Sequence, residues 1–383
     1  MPFAKIKAGI PLISIVGLLS MAIVFGFVRY GYGLLLPDFQ ADFNLTKTTL
    51  GVISSLSFLS FMGGALLVTF FIGRLGPRVF IATGLAAASI GLLISAFAPN
   101  GLVFAIGCII AGFCPGLCWT PFSNSVSEHV HDALQKRSLA VISTGSSLGL
   151  AVICLLYIAF SSGSWRIVWT IGGVGGLILL AVVLKTIPTA RYSRTNGRPH
   201  IPLFQRKSIH LFTAAILFGM TEATYWTYAA DFAQQVLNIA AFNAVFFLIT
   251  GICGLAGLWA GDLVHRIGFR KSFYLTVGIY VSSMVILFAS QSAGAIVLSG
   301  VLFGASFMMY AAFLPIWSAD VYPHAPAQGF SVTVVILNIG AIIGPALFGS
   351  MLTFTSYKWM FLLAAVIACS KLLLAPRSEA RLK

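Results

Sequence analysis

Long apolar runs, one after another along the chain, restrict the fold more than any other feature of the sequence. We count twelve, at residues 10–36, 48–72, 79–98, 102–126, 138–160, 166–187, 208–230, 243–262, 272–290, 295–318, 329–354 and 359–375. About 20 apolar residues make a helix that crosses the hydrocarbon core of a bilayer. A membrane barrel would instead show segments of about ten residues that alternate in polarity. The sequence therefore predicts an all-α membrane protein with twelve transmembrane helices.

The basic residues explain the net charge of +14 by topology. Such a charge in a soluble protein would suggest nucleic acid as a partner, but only 8% of the 383 residues are charged. If the N-terminus is cytoplasmic, 19 of the 23 Lys and Arg residues, Lys371 among them, fall on the inside, as the positive-inside rule requires. We therefore predict a multi-pass protein of the inner membrane with cytoplasmic N- and C-termini and without nucleic-acid binding.

One long break divides the runs into two sets of six. Residues 188–207 combine turn-forming residues with five basic ones, a composition typical of a connecting segment. The predicted division is an N-terminal six-helix bundle over residues 1–187, a basic cytoplasmic linker over 188–207 and a C-terminal six-helix bundle over 208–383. All six cysteines lie within apolar runs, so neither a disulfide framework nor a metal site is expected. No cofactor is expected either.

The two sets of runs carry an internal repeat. At an offset of 193 residues, the first set aligns with the second at four positions: Gly26 with Gly219, Arg29 with Glu222, Asp38 with Asp231 and Phe39 with Phe232. At an offset of 192, the turns after the second and eighth runs align as Arg74 with Arg266, Gly76 with Gly268 and Arg78 with Arg270. Agreement at separated places indicates duplication, which predicts two pseudo-symmetric bundles.

Two six-helix halves, a basic linker and an Arg-x-Gly-x-Arg turn in each half resemble the major facilitator superfamily, bacterial type. The acidic position of that family's turn holds Gly73 in the first half and His265 in the second. The resemblance implies a secondary transporter that works by alternating access, with spans 1, 4, 7 and 10 around a central cavity. It also implies a gating role for the cytoplasmic turns, at Arg74, Gly76, Arg78, Arg266, Gly268 and Arg270.

Arg29 and Glu222 place opposite charges at matching depth inside the first and seventh runs. A lone charge at the centre of a membrane helix costs at least about 2.5–3.5 kcal/mol, so each should face a partner or a wet cavity. Three interpretations remain open. Arg29 binds an anionic substrate while Glu222 carries a coupling proton; the two form a structural ion pair across the halves; or Arg29 extends to the outer interface.

Aromatic and amide side chains near this depth are the candidates for substrate contact. The substrate-binding set is Arg29, Tyr32, Trp119, Asn124, Tyr225, Trp226, Tyr310 and Asn338, with Glu222 as the proton-coupling residue. Buried amides and hydroxyls also join helices to one another, and aromatic side chains also pack without any ligand. Helix packing therefore stays open as the alternative role for each of these residues except the two charges.

The function predicted from these patterns is transport of a small organic solute, with protons as coupling ions. The positive charge of Arg29 indicates that this solute is an anion. The protein is expected to be a monomer in the lipid bilayer. An enzyme within the membrane would need paired acids, a Ser/His/Asp set or a metal cluster at one depth. Glu222 is the one acid well inside a run, so the protein is not expected to be an enzyme. It is not expected to use ATP, because the Gly-x-x-x-x-Gly-Lys-Ser/Thr loop is absent. Efflux of drugs or metabolites by proton antiport, and a membrane receptor or scaffold without net transport, remain as alternatives.

Overall fold

The computed structural model describes residues 11–160, 165–188, 205–239, 241–323 and 326–375. Within these residues the chain is helical and forms no strand, as predicted. Nearly all of the predicted linker and both ends of the chain lie outside the described residues, so the boundaries of the two bundles stay predictions. We use "N-terminal half" for the chain before residue 188 and "C-terminal half" for the chain after residue 207.

The N-terminal half contains eight α-helices and one π-helix among its described residues. In chain order they are α1 (Leu12–Met21), the π-helix (Ala22–Tyr30), α2 (Gly31–Leu34), α3 (Leu36–Phe43), α4 (Lys47–Ala96), α5 (Gly101–Gly112), α6 (Cys114–His129), α7 (Asp132–Ala159) and α8 (Trp165–Thr186). Side chains cap two of the long helices, since Thr46 accepts from Thr49 N and Asn100 accepts from Val103 N, which satisfies backbone donors that a helix start leaves unpaired.

The C-terminal half contains seven α-helices and two short 3₁₀ segments among its described residues. They are α9 (Ser208–Leu237), α10 (Phe242–Cys253), a 3₁₀ turn (Gly254–Trp259), α11 (Ala260–Ile267), α12 (Phe269–Ala289), α13 (Ala293–Val321), α14 (Pro326–Met351), α15 (Tyr357–Ser370) and a 3₁₀ turn (Lys371–Leu374). The halves pack on each other through α4 against α14 and α7 against α10.

The number of membrane crossings is consistent with twelve but is not settled by helix length and composition. Ten helices of the described residues are long and apolar enough to cross a membrane. One of them, Lys47–Ala96, holds two of the predicted runs on either side of a break at Gly76. The 30-residue helix α9, which carries Glu222 and Asp231, is not among the ten. The count of twelve therefore stays a prediction.

Backbone conformation repeats between the halves. Gly76 has φ 74° and ψ 164°, and Gly268, 192 positions later, has φ 83° and ψ 156°. This region of backbone space is essentially restricted to glycine, so both turns depend on the same residue type. Asn44 and Asn238 end α3 and α9 in the left-handed conformation, with φ 50° and 48°. The duplication indicated by the sequence is thus present in the backbone geometry.

Close helix contacts repeat in the same way. A Cβ on Gly112 would lie 2.6 Å from the carbonyl oxygen of Ser57, and one on Gly304 would collide with the carbonyl oxygen of Thr250. Both glycines therefore allow helices to approach backbone to backbone. Since Gly112 and Gly304 are 192 positions apart, each half is built on an equivalent contact between its second and fourth spans.

Candidate functional site

The candidate site begins with an irregularity in the first span. Residues Ala22–Tyr30 form a π-helix between the α-helical segments α1 and α2, and such segments occur frequently at functional sites. Gly26 lets α7 approach this segment, because a Cβ there would lie 2.8 Å from the carbonyl oxygen of Gly149. Arg29 is in the last turn of the π-helix.

Arg29 forms an ion pair with Glu222 across the two halves. The Arg29 Nη2 group donates to Glu222 Oε1, and the side chains are 10% and 1% exposed. The guanidinium also lies over the rings of Phe58 and Phe61, at 5.1 and 5.7 Å from their centroids, positions suited to cation–π attraction. The Arg29 side chain therefore pairs inside the protein. This placement disagrees with the interpretation in which Arg29 extends to the outer interface.

The ion pair leaves polar atoms without partners. Among the residues that the structure describes, Arg29 Nε, Glu222 Oε2 and Trp226 Nε1 are buried and have no hydrogen-bond partner. A buried polar group without a partner costs about 1–3 kcal/mol, more for a charged group. The site thus holds one neutral pair with unused hydrogen-bonding capacity on both of its members.

A small cavity adjoins the ion pair. Its volume is about 50 Å³, which is enough for a few water molecules and well below the roughly 300–1,000 Å³ of sites for drug-sized ligands. Its wall is mostly apolar and comes from both halves, with Val28, Arg29, Tyr32, Gly33, Ser54, Ser57, Phe58, Phe61, Leu92, Cys108, Ala111, Gly112, Pro115, Trp169, Trp226 and Thr227 as lining residues. The chain is therefore closed around Arg29 in this structure.

The structure brings Tyr32 and Trp226 to the cavity together with Arg29. The Tyr32 hydroxyl donates to the carbonyl oxygen of Leu50 at 2.6 Å. The Trp226 ring packs on Tyr30 of the other half, with centroids 4.3 Å apart. These two predicted residues therefore contribute to the wall that the halves share.

Tyr225 and Tyr310 lie elsewhere, in the packing of the C-terminal half. Tyr225 stacks on Phe303 at 3.5 Å between centroids and bonds Ser299 at 2.8 Å. Tyr310 stacks on Phe218 at 4.2 Å. Neither lines the cavity, and substrate contact by these two residues stays a prediction.

The remaining candidates are also outside the cavity wall. Asn338 is buried and donates to the carbonyl oxygen of Val334 at 2.9 Å. Trp119 is 39% exposed and has its ring edge-to-face with Phe25 and Phe330, and Asn124 is half-buried. Trp119 is thus partly exposed, whereas Asn338 is bonded within its own helix.

Polar contacts close the halves on one side of the Arg29–Glu222 pair. They are Lys47 with Gln235 and Asp231, Thr48 with the Gly349 carbonyl, Ser54 with Thr227, Ser55 with the Ala346 amide, Tyr228 with the Lys47 carbonyl, and Asn243 with the Leu34 carbonyl. We call this region the sealed end. Under the predicted topology, it is the end that faces away from the cytoplasm.

The predicted gating turns lie at the opposite end of the helices. Arg74, Arg266 and Arg270 are exposed, and Arg270 lies over the Tyr274 ring at 5.7 Å. Arg78 donates to the carbonyl oxygen of Leu184, two residues before the end of α8, where the helix dipole favours a cation. Gly76 and Gly268 make the turns themselves, and a gating role for the set stays a prediction.

Lys371 corrects the predicted distribution of basic residues. The sequence placed it on the cytoplasmic side, but the structure buries it completely. Its Nζ atom lies 3.9, 4.6 and 5.1 Å from the ring centroids of Tyr280, Tyr310 and Phe218. The positive-inside rule failed here because the long lysine side chain at the edge of a span can extend into the protein as well as toward water.

Comparison with known proteins identifies the family. The sequence matches the Major Facilitator Superfamily over residues 18–315 and again over residues 211–381. The chain belongs to this superfamily. The second match falls within the C-terminal half and overlaps the first, as expected when one family pattern fits a duplicated chain. As a major facilitator superfamily member, the protein is a multi-pass membrane transporter with an all-helical fold.

Solved structures share this superfamily fold. A bacterial homolog of the human lysosomal transporter Spinster, inward-facing and occupied, is 13% identical with a TM-score of 0.72, and 94% of each chain is covered. The nucleoside transporter NupG is 13% identical with a TM-score of 0.73, covering 94% of this chain and 98% of its own. The xylose transporter XylE from E. coli, partially occluded and inward open, is 16% identical with a TM-score of 0.74 and coverage of 94% and 95%.

Two parts of the site escaped sequence analysis. The polar contacts of the sealed end join serines, threonines and backbone carbonyls, which are too common in membrane helices to mark a contact. Lys371 did carry a signal, because it lies inside the last apolar run, at residues 359–375. A lysine within such a run is a reason to expect a buried partner.

Proposed function

We propose that this transporter moves a small organic anion together with a proton, with Arg29 binding the anion and Glu222 carrying the proton. The observation that supports this proposal is the buried ion pair between Arg29 and Glu222, which joins the halves beside a cavity. Each half contributes one charge, so the pair can form only when the halves meet at this depth.

Charge balance links the anion to the proton. The Arg29–Glu222 pair is neutral as a whole, and it lies in a place with little access to water. An anion that takes Arg29 from Glu222 removes the hydrogen-bonded counter-ion of a buried carboxylate, which is strongly unfavourable. A proton on Glu222 removes that charge, so anion and proton bind best together.

The chemistry of Arg29 favours a carboxylate or phosphate group on the substrate. A guanidinium presents a planar fork of donors that fits these anions in a bidentate manner. Arg29 Nε is unused in this structure, and one Nη group is bound to Glu222. The surrounding wall of Phe58, Phe61 and Trp226 suits an apolar or flat organic body next to the anionic group.

The proposed cycle needs the sealed end to open. The cavity holds only about 50 Å³, so a substrate requires the halves to separate on one side or the other. We propose that residues 1–187 and 208–383 move as two units joined by 188–207, and that the Arg29–Glu222 pair stabilises the arrangement with the sealed end closed.

Glu222→Gln tests the proton in this proposal. In proteoliposomes with an imposed proton gradient, the variant should keep counterflow exchange of substrate but lose gradient-driven accumulation, because an amide cannot carry the coupling proton. Asp262→Asn, which neutralises an exposed acid in α11, is the matched control and should accumulate normally. Unaltered accumulation by Glu222→Gln would remove this residue from the coupling mechanism.

Arg29→Lys tests the bidentate contact. A lysine keeps the charge but loses the planar fork, and the loss of a charged hydrogen bond of about 1.5–3 kcal/mol predicts roughly 10–100-fold weaker binding of the substrate. Arg206→Lys, at an exposed position outside the predicted gating set, is the control and should bind as the wild type does. Full affinity in Arg29→Lys would argue against direct recognition of the anion.

A thermal-shift screen of the purified protein tests the substrate class. Carboxylates, phosphate esters, sugars, amino acids and cationic drugs would be compared, since a ligand that binds the folded state raises the unfolding temperature. The proposal expects shifts from organic anions and their loss in Arg29→Lys. Shifts from cations alone would instead favour proton-coupled drug efflux, and binding without movement into sealed vesicles would favour a receptor.

A further inference from the structure

Lys371 lies in an unusual place for a lysine at the end of a membrane span. It is the first residue of the 3₁₀ turn after α15, where a lysine side chain ordinarily extends toward the membrane interface. Here it runs inward and is fully buried. The protein therefore holds this amine in its interior.

Aromatic rings make up the immediate surroundings of the amine. Tyr280 of α12, Tyr310 of α13 and Phe218 of α9 present their rings to Nζ at 3.9–5.1 Å. Cation–π attraction of about 0.5–2 kcal/mol per ring supports an ammonium there. Among the described residues, however, Nζ has no hydrogen-bond partner, so three strong donors are unused.

The unused donors lie near an unused acceptor. Glu222 Oε2 is buried without a hydrogen-bond partner, and it lies on α9, the helix that presents Phe218 to the amine. Phe218, which contacts Nζ, precedes Glu222 by one turn of α9. Tyr280 bonds Thr221, the residue next to Glu222, at 3.0 Å. Lys371 and the three rings around it thus adjoin the stretch of α9 that carries the Glu222 carboxylate.

We propose that Lys371 is the second counter-ion of Glu222 and pairs with it when Arg29 withdraws. This inference rests on the proposed function, in which Arg29 leaves Glu222 as the halves separate. The Arg29 pair joins the two halves, whereas a Lys371 pair is contained within the C-terminal half. A carboxylate that loses Arg29 before a proton arrives keeps a partner, so the sealed end can open without leaving a lone charge in the membrane.

The test measures opening of the sealed end. Ser55 is buried there and accepts from the Ala346 amide of the other half at 3.0 Å. Ser55→Cys, in a background with Cys253→Ser and Cys369→Ser, should react with a thiol reagent only when that end opens. The two replaced cysteines are the least buried of the six, so the new thiol dominates the signal.

Lys371→Met removes the second counter-ion with little change in side-chain length. The opened state then holds an unpaired carboxylate, and the cost of a lone charge in a membrane helix predicts that Ser55→Cys reacts at least about tenfold more slowly. Lys358→Met, which removes one positive charge from α15, the helix that Lys371 directly follows, is the matched control and should leave the rate unchanged. Lys371→Arg keeps the charge and should react at a rate near that of the wild type.

The double variant separates an ionic role from a structural one. Glu222→Gln alone should speed labelling, because it breaks the cross-half pair. Glu222→Gln with Lys371→Met should label as fast as Glu222→Gln alone, since no carboxylate remains for Lys371 to hold. Lys371→Met should also raise the unfolding temperature, because an apolar group replaces a buried ammonium that has no hydrogen bonds. If Lys371 served only to pack against its neighbours, the substitution would lower the unfolding temperature.

The outcomes distinguish the two proposals. The role of Lys371 would be overturned if Lys371→Met and Lys358→Met are labelled at the same rate. It would also be overturned if Lys371→Met slows labelling in the Glu222→Gln background as much as it does in the wild type. If Glu222→Gln changes neither labelling nor accumulation, the proposed function fails and the inference fails with it. If Glu222→Gln behaves as expected while Lys371→Met does not, only the inference is lost.

Discussion

The Lys47 ammonium lies 3.5 Å from the Asp231 carboxylate, and this ion pair joins the two halves at the sealed end. Lys47 also donates to Gln235 at 3.0 Å and lies over the ring of Tyr357 at 4.1 Å, while the Tyr357 hydroxyl donates to Asp231. One lysine of the N-terminal half thus contacts three residues of the other half, and all three contacts must break when the sealed end opens.

We expect Lys47→Met to make the sealed end open more readily. A partly exposed ion pair contributes about 0.2–1 kcal/mol and an exposed cation–π contact about 0.5–1 kcal/mol, so a change of about 1 kcal/mol predicts roughly fivefold faster labelling of the Ser55→Cys reporter. Lys358→Met serves again as the control. An unchanged rate would show that the contacts of Lys47 form without stabilising the closed arrangement.

We expect Gly33→Ala to force the halves apart. A Cβ at this position would collide with the carbonyl oxygen of Trp226 in the other half, and the backbone of α9 cannot move aside as a side chain could. Overpacking of this kind costs about 1–3 kcal/mol, which should appear as faster labelling of the reporter at Ser55. Gly175→Ala, whose Cβ would meet only Ile23 at 3.8 Å, should label at the wild-type rate.

Gly268→Ala and Gly278→Ala should change stability in opposite directions. Neither position has an atom within 4 Å of an added Cβ, so backbone conformation alone separates them. Gly268 has φ 83°, where alanine is strained by about 1–3 kcal/mol. The unfolding temperature of the Gly268→Ala variant should therefore fall. Gly278 lies inside α12, where alanine gains about 0.5–1 kcal/mol. Equal shifts in thermal unfolding would contradict this account.

Asp38 should make stability depend on pH. Asp38 follows the first span, and burial raises its pKa from 3.8 to about 6. The negative charge of Asp42 also raises this pKa, whereas the hydrogen bond from Tyr157 lowers it. The folded state therefore binds the proton more tightly than the unfolded chain does. This contribution, at most about 3 kcal/mol, is complete below about pH 4 and is lost as pH rises through 6.

Asp38→Asn gives the measurement for that pH dependence. The amide stays neutral, so the variant should lose the part of the fall in unfolding temperature that the wild type shows between pH 4.5 and 7. At pH 7 the variant should be at least as stable as the wild type, since it avoids a buried carboxylate. Identical pH profiles for the two proteins would exclude Asp38 as the titrating group.

The sequence predicted the helical fold, the repeat and the two charges because each depends on local pattern and depth. Arg29 and Glu222 fall at equivalent positions of duplicated segments, so equal depth followed from the alignment alone. Which neighbours share their cavity did not follow. Tyr225 and Trp226 are adjacent on α9, and both faces of that helix are buried. Only the packing of the halves places Trp226 on the cavity wall and Tyr225 against Phe303.

The contacts of the sealed end and the partners of Lys371 did not follow from the sequence for a related reason. Contacts such as Ser54 with Thr227 depend on how one bundle rests against the other, which no pattern within either bundle encodes. The positive-inside rule assigned Lys371 to the cytoplasmic side by its position in the chain, but its side chain is long enough to extend into the interior instead of toward water. Rings from three helices, α9, α12 and α13, make the interior favourable, and their meeting point is a tertiary property.

The matching turns at Gly76 and Gly268 provide an internal standard for experiments on this molecule. A substitution at one member of such a twin can be calibrated on its counterpart under identical lipid, detergent and temperature. Where both members respond alike, the effect belongs to the scaffold. Where they diverge, the difference isolates what the two ancestral copies acquired after they separated, and that divergence is where specialisation for a particular cargo should be sought.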